Sequence, residues 1–405
     1  MLIKRNSFPM LSDFGKNYIL LALRINEHIE GYVEAYFGLP ELNTIVKDEG
    51  KTSPKKLLKT YNYLQKELTN QGFQKKRERF LEKILKAMET SIRILNKEKI
   101  PFLTQVKRFY DIEPRLIDDS YFYNGAEKLM KAYQGVGSLF EKLEIIRKRR
   151  VIPEENIISV YSHALNMVAE RTRTLYPNLL PKDEEISLNI VNNKAWRAKN
   201  RYLGNFKSII DINIDRPHFW TTLFRLAAHE GYPGHHTEFT LKDLILYQQE
   251  GRFEHSIRII PTPENVITEG MADMALNVLY SYEEATKIGL EELCPNPLDE
   301  DDPLFINKQW ENAYLPVELM SNLAYLKYVN GWSDEKIIEY GLKFEFSPEG
   351  LIRKNLEYIN NPIWAPYSFC YFYGKKLIED KFGEHPSLEN FKRLLTSPLL
   401  PSDLI

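Results

Sequence analysis

Cysteine is nearly missing from this chain. The two present, Cys294 and Cys370, cannot form a disulfide framework, and their spacing matches no metal motif. No apolar run is long enough to span a bilayer. At the N-terminus, Lys4 and Arg5 stand where the apolar core of an export signal should follow. An excess of one charge sign is lacking too: 54 Lys and Arg face 56 Asp and Glu, for a net −2. No global field therefore draws the chain to nucleic acid or an anionic membrane. Internal repeats and low-complexity segments are also absent. These absences predict a cytoplasmic protein with no nucleic-acid and no membrane partner; the oligomeric state stays open.

Histidine is scarce as well, at 8 residues, so its clustering is informative. Three fall in the run Ala228-His229-Glu230-Gly231-Tyr232-Pro233-Gly234-His235-His236, answered downstream by Thr268-Glu269-Gly270-Met271-Ala272-Asp273. A catalytic zinc takes imidazole nitrogens and a carboxylate and keeps one position open. The familiar local form is His-Glu-x-x-His on one helix. Here the i+4 position is Pro233, which cannot bind metal. On an unbroken helix His235 would point about 120° away from His229, and His236 would lie about 10 Å along the axis. The helix must break. Tyr232, before a proline, disfavours the α region, and Gly234 permits a sharp turn. Either His235 or His236 could then swing back beside His229. Glu269 and Asp273, at i and i+4, share one face of a helix.

Helical periodicity runs from Asp13 to about Phe37, Lys55 to Glu67, Lys76 to Asn96 and Asn124 to Arg150, with a further helix from Glu154 to about Thr174. Pro40 to Lys51 reads as a loop. The basic end Arg147-Lys148-Arg149-Arg150 reads as a solvated cap complementing the helix dipole. After Tyr176-Pro177 the pattern changes. Ile186 to Asn192 alternates, and Arg201 to Ile214 is β-branched and aromatic, which predicts a small sheet. Asn205 to Asn213 is the candidate edge for an extended substrate. Arg216-Pro217 opens the helix that carries His229, and helix resumes after His235 to about Gln249. Cys294 to Pro303 reads as an acidic surface loop. The remainder reads as helical: Leu304 to Val329, Ser333 to Leu342 and Pro362 to Phe382. His218 reads as a surface or cap residue and Glu238 as a solvated helix position, and His28, His163, His255 and His385 carry no motif.

The histidine run resembles the His-Glu-x-Gly-His helices of the carboxypeptidase Taq and thimet oligopeptidase type, with two residues inserted before Gly-His. That resemblance points to His235 as the second ligand, with His236 the competitor. Glutamate-type zinc peptidases place a ligand Glu and, four residues on, an Asp that holds a ligand His by its free N–H. The likeness implies these roles for Glu269 and Asp273. His-Glu-x-Tyr-Pro-Gly-His-His followed by Glu-Gly-x-Ala also resembles the signature of the domain-of-unknown-function 885 family of predicted metallopeptidases. The stretch Asn361-Pro362-Ile363-Trp364-Ala365 through Tyr371-Phe372-Tyr373-Gly374 resembles that family's C-terminal pattern, with Ile363-Trp364 in place of Gly-Gln. Many members carry lipoprotein-type signals, so their lack here favours the cytoplasm.

The expectations are therefore these. The fold is mainly α, a large helical body with a central cleft and a small β-sheet next to the metal-site helix, zincin-like and resembling the carboxypeptidase Taq and thimet oligopeptidase architecture. Residues 1–177 form an N-terminal helical region and 178–405 the catalytic region, in one continuous unit. His229, His235 and Glu269 hold Zn2+, Glu230 is the general base for hydrolysis of a peptide substrate, and His236 or Tyr371 steadies the oxyanion. A metal-dependent hydrolase of a non-peptide amide or ester, or a metal-binding protein without turnover, is the alternative.

Overall fold

A computed structural model of the protein describes residues 11–133, 135–194, 196–294, 315–361 and 364–405, and it is mainly helical. Strands are short: β1 (Val33–Tyr36), β2 (Glu185–Val191), β3 (Ala198–Gly204), β4 (Lys207–Asn213) and β5 (Ile257–Ile259). β1 and β5 pair antiparallel, whereas β4 lies between a parallel β2 and an antiparallel β3.

Several elements differ from the sequence expectation for local reasons. The first helix, Asp13–Asn26, starts where Ser12 accepts from the Gly15 N–H at 3.1 Å, and it stops well before Phe37. The apolar positions that extended the pattern belong to β1, which finds its partner far away in sequence. Pro40–Glu49 is a helix, not a loop, with proline in its first turn. The stretch read as one helix from Asn124 to Arg150 is two, Asp119–Ala132 and Leu139–Arg150. The second restarts at a reciprocal cap between Ser138 and Glu141. Its last residue is not a solvated cap: Arg150 is buried, with its guanidinium 5.5 Å from the Trp220 ring centre. Most of the acidic stretch from Cys294 to Pro303, and the start of the helix expected at Leu304, lie outside the described residues. The helix is described over Leu315–Tyr328.

Three hydrophobic clusters make the interior, and each crosses the boundary drawn at 177/178. One joins Phe14–Ile92 side chains to Phe253, Ile257 and Leu400; a second joins Val106–Leu143 to Leu315–Cys370. The third wraps the helix Trp220–Glu230, burying Leu223, Phe224, Ala227 and Ala228 against Ile157–Ala169 and Met271–Leu279. Each such large side chain contributes about 1.5–3 kcal/mol. That helix is thus fixed on its apolar side, which leaves its C-terminal His229 and Glu230 to face a cleft.

Candidate metal centre

The helix Trp220–Glu230 ends at Glu230, and the next helix begins at His235. Between them the chain folds back tightly, with the Gly234 N–H donating to the Ala228 carbonyl at 3.0 Å. A Cβ on Gly234 would stand 1.9 Å from the His229 carbonyl oxygen, so no other residue fits there. The turn brings the His229 and His235 ring centres to 4.7 Å, nearly perpendicular at 86°.

The third member of the cluster, a carboxylate, arrives from the helix Glu264–Asp273. Glu269 Oε2 lies 3.6 Å from His229 Nε2 and 3.9 Å from His235 Nε2. One ligand-type atom from each of the three residues falls within 4.8 Å of the others. Ligands about 2.1 Å from a tetrahedral ion stand roughly 3.4 Å apart, so a small closing movement would fit a divalent cation. Asp273, one turn on, accepts from His229 Nδ1 at 3.0 Å and so aims Nε2 at the cluster. Tyr367 donates to Glu269 Oε1 at 2.5 Å.

Tyr367 can reach because two helices touch at glycine. A Cβ on Gly270 would fall 2.1 Å from the Gly374 carbonyl carbon, and one on Gly374 would fall 2.1 Å from the Val266 carbonyl oxygen. The helix Trp364–Phe382 therefore lies directly on Glu264–Asp273 and brings Tyr367 to the site. Tyr371, one turn further, lines the same cleft together with Tyr358.

The electrostatics are those of a site short of positive charge. Burial raises Glu269, with the charges of Asp273 and Glu230 adding, and together they outweigh His229 and Tyr367 to push its carboxyl up to about 7. Burial disfavours the His229 cation, but the bond to Asp273 and the charges of Asp273, Glu230 and Glu269 lift it to about 9. Burial, then repulsion from His229, drives His235 well below its ordinary value. His235 Nδ1 is buried with no hydrogen-bond partner among the described residues. Burial also raises Glu230, whose Oε2 accepts from the Asn200 N–H at 2.8 Å, while Asn200 Nδ2 donates to its carbonyl at 2.8 Å.

His236 does not join this cluster, either as the competing ligand or as an oxyanion donor. It is 0% exposed, with Nδ1 2.8 Å from Ser208 Oγ and Nε2 2.8 Å from Glu184 Oε2. Consecutive residues at a helix start point about 100° apart, so seating His235 in the cleft turns His236 into the sheet. Serine, histidine and glutamate here resemble a nucleophile's relay, but Ser208 is buried on the central strand and is no part of the cleft wall.

Other expectations also change. Asn205–Asn213 is no edge: β4 is paired on both sides, and β2 and β3 are the outer strands, the turn at Asn205 and Phe206 folding β3 back beside β4. His218 is buried and bonds the Asn213 carbonyl at 3.0 Å. Glu238 is buried too, held by Lys242 at 2.7 Å and Thr268 at 2.8 Å. Sequence reading missed Asn200 and Tyr367. Tyr367, four residues before Tyr371, shares its helical face and was the findable one.

The cluster lies in the wall of a cavity of about 760 Å³ that also takes in Glu230, Asn200, Tyr358 and Tyr371. Among the described residues, no helix is long and apolar enough to cross a membrane.

No protein-family model matches the chain, and no curated protein matches it. Two solved structures are similar across almost its whole length. One is a protein of Colwellia psychrerythraea (15% identity, 98% of this chain and 76% of that one, TM-score 0.50). The other is from Shewanella oneidensis (13% identity, 97% and 82%, TM-score 0.50). Both carry the provisional name of lipoprotein, the second with unknown function. At this identity the likeness concerns the fold alone. The resemblance to the domain-of-unknown-function 885 family is thereby overturned: no family model supports it, and the structural neighbours bear no such name. A handful of residues suffices to shape a cation site and is too few to fix a lineage.

Proposed function

We propose that the protein is a zinc-dependent peptidase with a zincin-like layout, in which His229, His235 and Glu269 hold the ion. The observation that carries this reading is the convergence of those three side chains in a cavity wall, with a buried carboxylate, Glu230, next along the chain. A zinc ion held there would lower the pKa of water to roughly 7 and polarise the scissile carbonyl.

The chain's own residues supply the rest. Glu230, its pKa raised by burial, accepts the proton of the attacking water and returns it to the leaving amine. The Asn200 N–H steadies that carboxylate through Oε2. Tyr371, a phenol kept protonated by burial and by the charge of Glu269, donates toward the developing oxyanion. Because Asn200 turns its N–H away from β4, the alternation of an antiparallel ladder turns the backbone of Ala198 the same way, into the cleft. An extended peptide would pair there. The chain has only two cysteines, which suits the reducing cytoplasm we assign to it.

The test is Glu230→Gln. Zinc content should persist while hydrolysis of a short-peptide panel falls about 10²–10⁴-fold. Full activity in the variant would remove Glu230 from the reaction, and wild-type turnover of esters or non-peptide amides alone would replace the peptide with those substrates.

A further inference from the structure

The cleft has a charged floor to which the proposed reaction assigns no role. Glu34 on β1, Lys199 on β3 and Arg258 on β5 meet there, three strands far apart in sequence. Lys199 Nζ lies 2.8 Å from Glu34 Oε1, and Arg258 Nε lies 3.2 Å from Glu34 Oε2. The β1–β5 register slips between Val33 and Ala35, so Glu34 is the extra residue of a bulge, a device that re-aims one side chain. The Arg258 guanidinium carbon sits over Phe239, 3.6 Å from its ring centre, and His235 stacks on the same ring at 5.4 Å and 11°. The floor is thus one aromatic ring beyond a candidate ligand. By contrast the rim, at Lys194, Asp215, Lys354 and Glu357, is exposed.

Both oxygens of Glu34 are taken, one by each cation. What remains to meet a ligand are N–H groups: the further protons of Lys199 and the two terminal nitrogens of Arg258. A floor of cationic donors whose only acceptor is already saturated selects a carboxylate. Resting on the peptidase reading, we propose that Lys199 and Arg258 bind the free C-terminal carboxylate of short peptides, so that cleavage falls one or two residues from that end. An extended residue spans about 3.3–3.6 Å, which matches a floor so near the ligands.

The experiment compares N-acetylated peptides ending in a free acid with the same peptides ending in an amide. Wild type should favour the acid in kcat/KM by on the order of 100-fold. Lys199→Met, which leaves Arg258 on Glu34, and Arg258→Gln should each bring that ratio down at least tenfold. The ratio is read within one preparation, so a partly unfolded fraction cannot mimic the result. A wild-type ratio near one, or variants that keep the wild-type ratio, would overturn the proposal. The Glu230→Gln protein, titrated with acid and amide in the presence of zinc, separates the two readings. Acid-selective binding that Lys199→Met abolishes, without hydrolysis of any peptide by the wild type, supports the floor and removes the peptidase. Hydrolysis with neither selective turnover nor selective binding does the reverse.

Discussion

His235 and His236 are neighbours in sequence and occupy opposite kinds of environment. Around His236 every polar atom is matched. Glu184 is an acceptor only, so His236 Nε2 carries the proton and Nδ1 accepts from Ser208. Burial alone would raise Glu184, but bonds from His236 and Tyr232 and the cation of Arg173 hold it below the usual carboxylate value. Around His235 the matching fails. One of its nitrogens is buried without a partner, and burial wins at Glu269, which rises to about 7. Two buried carboxylates thus move in opposite directions. Saturated groups hold a fold together; buried groups left unmatched are costly unless something else completes them. On the proposed reading a cation would balance the carboxylates of the cleft, and that difference, rather than the presence of histidine, separates a candidate site from a structural knot.

The comparison breaks most sharply under one substitution made twice. His235→Phe keeps the stack on Phe239 and removes the nitrogens. Zinc should no longer be retained through gel filtration, and hydrolysis should be lost. The melting temperature of the metal-free protein should stay within about 2 °C, since no hydrogen bond is given up. His236→Phe should do the opposite. It strands Glu184 and Ser208, and leaving buried groups without their hydrogen-bond partner costs about 1–3 kcal/mol. Urea unfolding of the metal-free proteins measures both. A stable His236→Phe protein would show that the knot is not what holds the turn, and a zinc-replete His235→Phe protein would end the metal assignment.

The same contrast shows what the sequence could reveal. The break at Pro233-Gly234 was legible because helix geometry forbids the alternative, and Asp273 because four residues make one turn. The choice between His235 and His236 was not legible from spacing alone, because it depends on the side the sheet occupies. Sheet order was hidden for a related reason: β3 and β4 read as one apolar stretch, and only the hairpin at Asn205-Phe206 with β2 beyond it decides which is outermost. Glu238 and Arg150 looked solvated because charge on a helix usually is. Their partners are supplied by tertiary structure, with Lys242 shared between Glu238 and Glu264, and Trp220 lying beside Arg150. Glu34 gave no signal, since a bulge is defined by the strand across from it.

The smallest effect sharpens the contrast without altering a residue. In the metal-free protein Glu269 titrates near 7 and His229 near 9. A cation needs the carboxylate ionised and the His229 Nε2 proton removed. Below pH 7 both groups hold protons, so zinc must displace two. Between 7 and 9 only His229 does, and zinc displaces one. Apparent affinity should therefore rise with pH, about tenfold per unit from 7 to 9 and more steeply below 7. Chelator-buffered zinc titrations, with released protons counted in a weak buffer, give the slope directly. His236 lies outside the cluster and contributes nothing to it, so His236→Gln should leave the slope intact in whatever fraction folds. An affinity flat from pH 6 to 9 would mean that the ion, if bound, sits on groups other than His229 and Glu269.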